Sequence, residues 1–180
     1  MKKTILFVAL IGLTGSVFAQ KRTTTSATVS FDATTSKDAL AKADNKTVIG
    51  SINTQTGEVA FEAAVKNFAF GNPMIQEHFN GDKWFNSNKY PAFTFTGKIE
   101  DISKLKFTTN GTYKVKVNGD LTIRDIKKKA KVNGTITLVN GKIKIASAFT
   151  VKLSDYNITG TPIDAGKVNR EPKVTVAAEF

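Results

Sequence analysis

The 180 residues contain no cysteine, which excludes disulfides, thiolate metal sites and thiol redox chemistry. The chain has a single histidine, His78, so it cannot assemble an imidazole-based zinc centre, and no nucleophile partner stands near it in sequence. Three tyrosines and one tryptophan are too few for the two aromatic girdles of a membrane barrel. Long apolar runs are also missing: the stretch from Ile5 to Leu13 is too short to cross a bilayer.

That stretch has a different use. "MKKTILFVALIGLTGSVFAQ" sets Lys2 and Lys3 before an apolar run and ends it at Val17, Phe18 and Ala19, the layout of a secretory signal. Cleavage is expected after Ala19, leaving residues 20–180 as one periplasmic or secreted domain without a lipoprotein cysteine. Removing Lys2 and Lys3 leaves 24 basic residues against 15 acidic ones, a net charge of about +9. A basic chain invites nucleic acid or anionic lipid. Export, and the lack of aromatics among the lysines, argue against nucleic acid.

Alternation fills most of the remaining sequence. In "TYKVKVNGDLTIR", Tyr113, Val115, Val117, Leu121 and Ile123 fall on one face, with Lys114, Lys116, Asp120 and Arg124 on the other. The same period orders Val59 to Val65, Phe93 to Ile99, Ala130 to Leu138, Ile143 to Leu153 and Val174 to Phe180, with shorter pieces at Val29–Phe31 and Val48–Ile52. Asn110-Gly111, Asn140-Gly141 and "TQTG" at 54–57 read as hairpins, whereas Asn118-Gly119 and Asn133-Gly134 fall inside strands and read as bulges or bends. The pattern predicts an all-β, eight-stranded antiparallel barrel. A filled barrel and a hollow one share this pattern.

One segment breaks the period. In "GNPMIQEHFNGDKWFNSNKYPAF", Asn72 caps a helix begun by Pro73, Asn80-Gly81 stops it, and Asp82 caps a second turn bearing Trp84 and Phe85. Two short helices would then direct Met74, Ile75, Phe79, Trp84 and Phe85 over one barrel mouth. Candidate ligand contacts are these five with Phe61, Phe68, Phe70, Phe93, Phe95, Leu121, Ile123, Phe149 and Val151.

The order "NPMIQEHFNGDKWFNSNKYPAFTFTGKI", "VNGDLTIRDIKKKAKVNGTI" and "AFTVKLSDYNI" resembles the YceI-like family of exported bacterial proteins. The marks are Lys89-Tyr90-Pro91 before Phe93 and Phe95, Gly119 to Ile123, and Asp155-Tyr156; Asp125 departs from a common glycine. The resemblance implies a tall lipocalin-like barrel holding a long apolar chain, such as a polyisoprenoid, a quinone tail or a fatty-acyl derivative. It implies neither catalytic residues nor a cofactor, and no metal site is expected. Arg124, Lys127, Lys128 and Lys129 read as a turn between strands that could touch an anionic membrane surface. An outer-membrane barrel, a filled barrel acting through its surface, and a homodimer stay open as alternatives.

Overall fold

The computed structural model describes residues 21–180; the expected signal segment lies outside them. Nine strands form one antiparallel sheet: β1 (Lys21–Asp32), β2 (Lys42–Asn53), β3 (Glu58–Ala64), β4 (Ala69–Phe70), β5 (Ala92–Ile99), β6 (Gly111–Ile123), β7 (Ile126–Val139), β8 (Lys142–Thr150) and β9 (Lys173–Glu179). Eight of them close into a barrel, in the order β1-β9-β8-β7-β6-β5-β3-β2 and back to β1. The two residues of β4 pair with β2 through Ala43–Phe70 and Asp44–Ala69, continuing the lane of β3 past a 3-10 turn at Val65–Asn67. Among the described residues there are two α-helices, α1 (Pro73–Asn80) and the single turn α2 (Thr161–Asp164).

The inward face is the one predicted by alternation. Directly opposed residues of an antiparallel pair share a face, so Phe61–Phe95, Phe95–Leu121 and Val117–Val132 continue one apolar surface around the wall. Gly57 at φ +76° and the pair Asn140 at +49° and Gly141 at +78° form the expected hairpins. Asn110-Gly111 does not: β5 and β6 are joined by residues 100–110, whose 3-10 turn Ile102–Lys104 plugs the lower end with Ile102, Leu105 and Phe107. The β6–β7 hairpin turns instead at Arg124-Asp125, with Arg124 at φ +58°.

The bulges are not at the glycines either. Pairing of β6 with β7 runs unbroken from Gly111 to Ile123. Register shifts occur only between β1 and β2, between Thr24 and Ala27 and between Ala27 and Val29. The first adds a residue to β1 and the second adds one to β2, so the register is restored. Buried Asn45 fixes the second: its amide donates to the Ala64 carbonyl at 2.9 Å and its oxygen accepts from the Thr47 N–H and hydroxyl, each at 2.9 Å.

Gly97 and Gly119 face each other across β5 and β6 and serve close approach. A Cβ on Gly119 would lie 2.7 Å from the Phe95 ring and collide with the Thr96 carbonyl oxygen, so the bare backbone makes the bed for that ring. Gly119→Val should lower stability by about 1–3 kcal/mol through overpacking. A urea titration checks this: the midpoint falls while the slope stays unchanged.

Candidate functional site

Alternation turns apolar side chains inward, but they do not fill the space they enclose. Phe61, Phe93, Phe95, Leu121 and Phe149 point inward and yet are only half-buried. They surround a cavity of about 150 Å³, on a measure by which ~10–15 Å³ holds one water. Among its lining residues only Thr94 and Ser147 have polar side chains, and the Ser147 hydroxyl is occupied, donating to the Asn133 carbonyl at 2.7 Å. A water placed there would find few partners, so the space favours an apolar occupant.

The lid over the upper end explains the aromatic segment. Asn72 caps α1 by accepting from the Met74 N–H at 2.9 Å, with Pro73 at the first position. Phe79, on the last turn, is the hub: its ring lies 4.4 Å from Phe85, 4.9 Å from Phe70, 5.8 Å from Phe68, 6.1 Å from Phe31 and 6.4 Å from Phe93, centre to centre. Tilted and edge-on pairs at these separations are the favourable arrangements for aromatic quadrupoles. Residues 81–85 form hydrogen-bonded turns, not a second helix; Asn86 at φ +44° returns its N–H to the Gly81 carbonyl and accepts from Lys89 and Tyr90. The remaining helix lies later in the chain, at α2.

Ten of the fourteen expected contacts line the cavity. They are Phe61, Phe93, Phe95, Leu121, Ile123 and Phe149 on the wall, with Phe68, Phe79, Phe85 and Val151 at the upper end. Four do not. Phe70 and Trp84 pack on the outer side of the Phe79 cluster, and Ile75 is half-buried on α1. Met74 is 65% exposed and points away from the barrel, because α1 is short and turns Phe79 inward, leaving the first turn to solvent. The cavity also uses Val29, Phe31, Val174 and Val176, inward positions legible from period alone, and Ser147, legible as the one serine in an otherwise apolar row.

The four cations do not form one turn. Lys127, Lys128 and Lys129 lie within β7, since the hairpin is tighter than expected. Lys129 is ion-paired with Asp120 at 2.9 Å. Arg124 stacks its guanidinium 5.4 Å from the Tyr90 ring centre and donates to the Asn157 carbonyl at 3.5 Å, tying the hairpin to the lid. Tyr156, buried in the core, has its phenol pushed up by burial and then by Asp155, so it stays neutral and is part of the packing.

A family model described as a YceI-like domain matches residues 14–180. Solved structures share the fold. BcnA of Burkholderia cenocepacia superposes with a TM-score of 0.72 at 20% identity, covering 86% of this chain and 96% of that one. A polyisoprenoid binding domain from Saccharophagus degradans gives 0.72 at 14%, covering 86% and 93%. The YCEI protein of Campylobacter jejuni gives 0.59 at 18%, covering 100% and 98%. No curated protein matches the chain.

Phe79→Ala should cost about 3–5 kcal/mol, because it removes the ring on which the lid rests. Thermal unfolding measures the loss. The single tryptophan, Trp84, beside that ring, should report lid loosening as a red-shifted emission.

Proposed function

The chain belongs to the YceI-like domain family, and from that membership and the dry interior we propose that it binds and carries one long apolar chain within the barrel. The observation that carries this reading is the continuous apolar cavity, whose lining is hydrocarbon from the Phe79 lid down to Ile99 and Ile136. Each methylene moved from water into such a space contributes about 0.8 kcal/mol, so a chain of several isoprene units binds without any ion pair. The likeness to a polyisoprenoid binding domain supports a polyisoprenoid as the cargo class, with quinone tails and acyl chains as the other members of the same chemistry. The N-terminal pattern of Lys2, Lys3 and the apolar run to Leu13 adds export to the reading.

A membrane-spanning barrel fits less well. Such a wall needs a lipid-facing apolar band, and among the described residues the exposed large hydrophobics are only Leu40, Ile49, Met74 and Val139, of which Leu40 and Met74 lie off the barrel strands. A filled barrel is disfavoured by the half-buried inward rings.

Native mass spectrometry of the protein purified from its host without detergent, followed by organic extraction, tests the proposal. A stoichiometric isoprenoid or acyl species is the expected result. A bare chain that also takes up no polyprenyl or quinone lipid overturns it. Phe95→Asp places a charge in the dry cavity and should abolish loading while the β-sheet circular dichroism persists.

A further inference from the structure

The barrel wall is not equally closed all round. Pairing of β7 with β8 stops at Gly134–Ser147, although β7 begins at Ile126 and β8 continues to Thr150. The Ser147 hydroxyl on the Asn133 carbonyl is the last tie between the two strands. Beyond it they part; past the end of β8, Arg124 at the β6–β7 hairpin tip reaches the Asn157 carbonyl at 3.5 Å, the outer limit of a hydrogen bond. Val132 on one side of this slot and Phe149 and Val151 on the other all line the cavity, so the cavity extends to it. Along residues 127–132 the backbone groups facing β8 have no strand partner among the described residues and must be met by water or by a ligand. The dry interior therefore meets water here.

A cation stands at that boundary. Lys128 is paired across the strands with Leu121, a cavity-lining residue, so it lies on the inward face of the wall. By register, the inward face of the eight strands carries only two cations among the described residues, Lys128 and Arg22, the latter opposite Ile52 at the other end. Arg22 is engaged, donating to the Gly141 carbonyl at 2.5 Å. Among the described residues Lys128 has neither an ion pair nor a side-chain hydrogen bond, whereas its neighbour Lys129 is held by Asp120. An exposed lysine normally faces outward and is fully hydrated; one turned to the inner side of an apolar wall meets whatever projects from the cavity.

We propose that the cargo carries an anionic head group, and that this group lies in the slot between β7 and β8 against Lys128. The proposal rests on the carrier reading and adds the chemistry of the polar end. An apolar chain in the cavity leaves its head where the hydrocarbon lining ends, and unpaired β7 backbone N–H groups there supply donors beside the ammonium.

The test uses the mature protein with two probes, a long-chain polyprenyl monophosphate and the polyprenol of the same length, titrated by native mass spectrometry against wild type, Lys128→Gln and Lys127→Gln. Wild type should bind the phosphate roughly 10- to 100-fold more tightly than the alcohol, the range of a hydrogen bond to a charged group. Lys128→Gln should remove that preference and leave alcohol binding unchanged; Lys127→Gln, one position away and on the outward face, should keep it. Equal binding of the two lipids by wild type overturns the head-group assignment while the carrier reading stands. A preference that survives Lys128→Gln, or that Lys127→Gln lowers equally, overturns the placement at Lys128. Binding of neither lipid overturns the head-group assignment and removes polyprenyl chains from the carrier reading.

Discussion

The wall of this molecule directs its backbone hydrogen bonds sideways, strand to strand, and that lateral saturation is what allows the interior to be left without polar groups. In a closed antiparallel sheet no N–H or C=O needs a partner from inside, so the inner face can consist of Phe, Val, Ile and Leu side chains alone. Where the lateral bonds are complete, the cavity is dry. At one of the places where they lapse, between β7 and β8, the polar character of the chain reappears, and the one inward lysine among the described residues is found beside that lapse. The charge pattern and the hydrogen-bond pattern thus have a common geometrical origin.

The two ends are closed in different ways. Below, Ile102, Leu105 and Phe107 from the β5–β6 connection fill the space among Ile52, Ile136, Leu138 and Ile143 with mainly aliphatic contacts. Above, the closure is aromatic and hangs on one residue, with five rings around Phe79 and the turn of residues 81–90 held by its own backbone bonds. A plug made of strand-end residues is part of the barrel core. A lid on an eight-residue helix with an exposed first turn is attached mainly by its rings, and it is the end to which Arg124 and Tyr90 add a further tie.

Much of this was legible in the sequence because alternation is a local property. Each of Val59–Val65, Phe93–Ile99 and Tyr113–Ile123 states its own inward face without reference to any partner, and Asn72-Pro73 states a helix start. What failed depends on residues far apart. The bulges lie between β1 and β2 because Asn45 finds the Ala64 carbonyl, a partner 19 residues on, whereas Gly119 looks like a bulge until its neighbour across the sheet, Gly97, and the Phe95 ring between them are known. Asp82 has the composition of a cap, yet Phe85 is drawn to Phe79 and the chain turns before a second helix can form. Lysines 127–129 resemble a turn by composition, but the positive φ of Arg124 makes the hairpin two residues long and puts them in the strand.

The order of the strands sets when the wall can exist at all. Apart from the short β4, every neighbour in the barrel is the next strand in sequence except one, since β1 meets β9 across the whole length of the chain, through Thr28–Asp32 and Lys173–Ala177. Seven seams join strands that follow one another along the chain, while the eighth carries almost the full loop-closure cost and has to wait for the last strand. During synthesis the first strand therefore has one open edge until the carboxyl-terminal residues arrive, and the apolar inner face is not sealed until that moment.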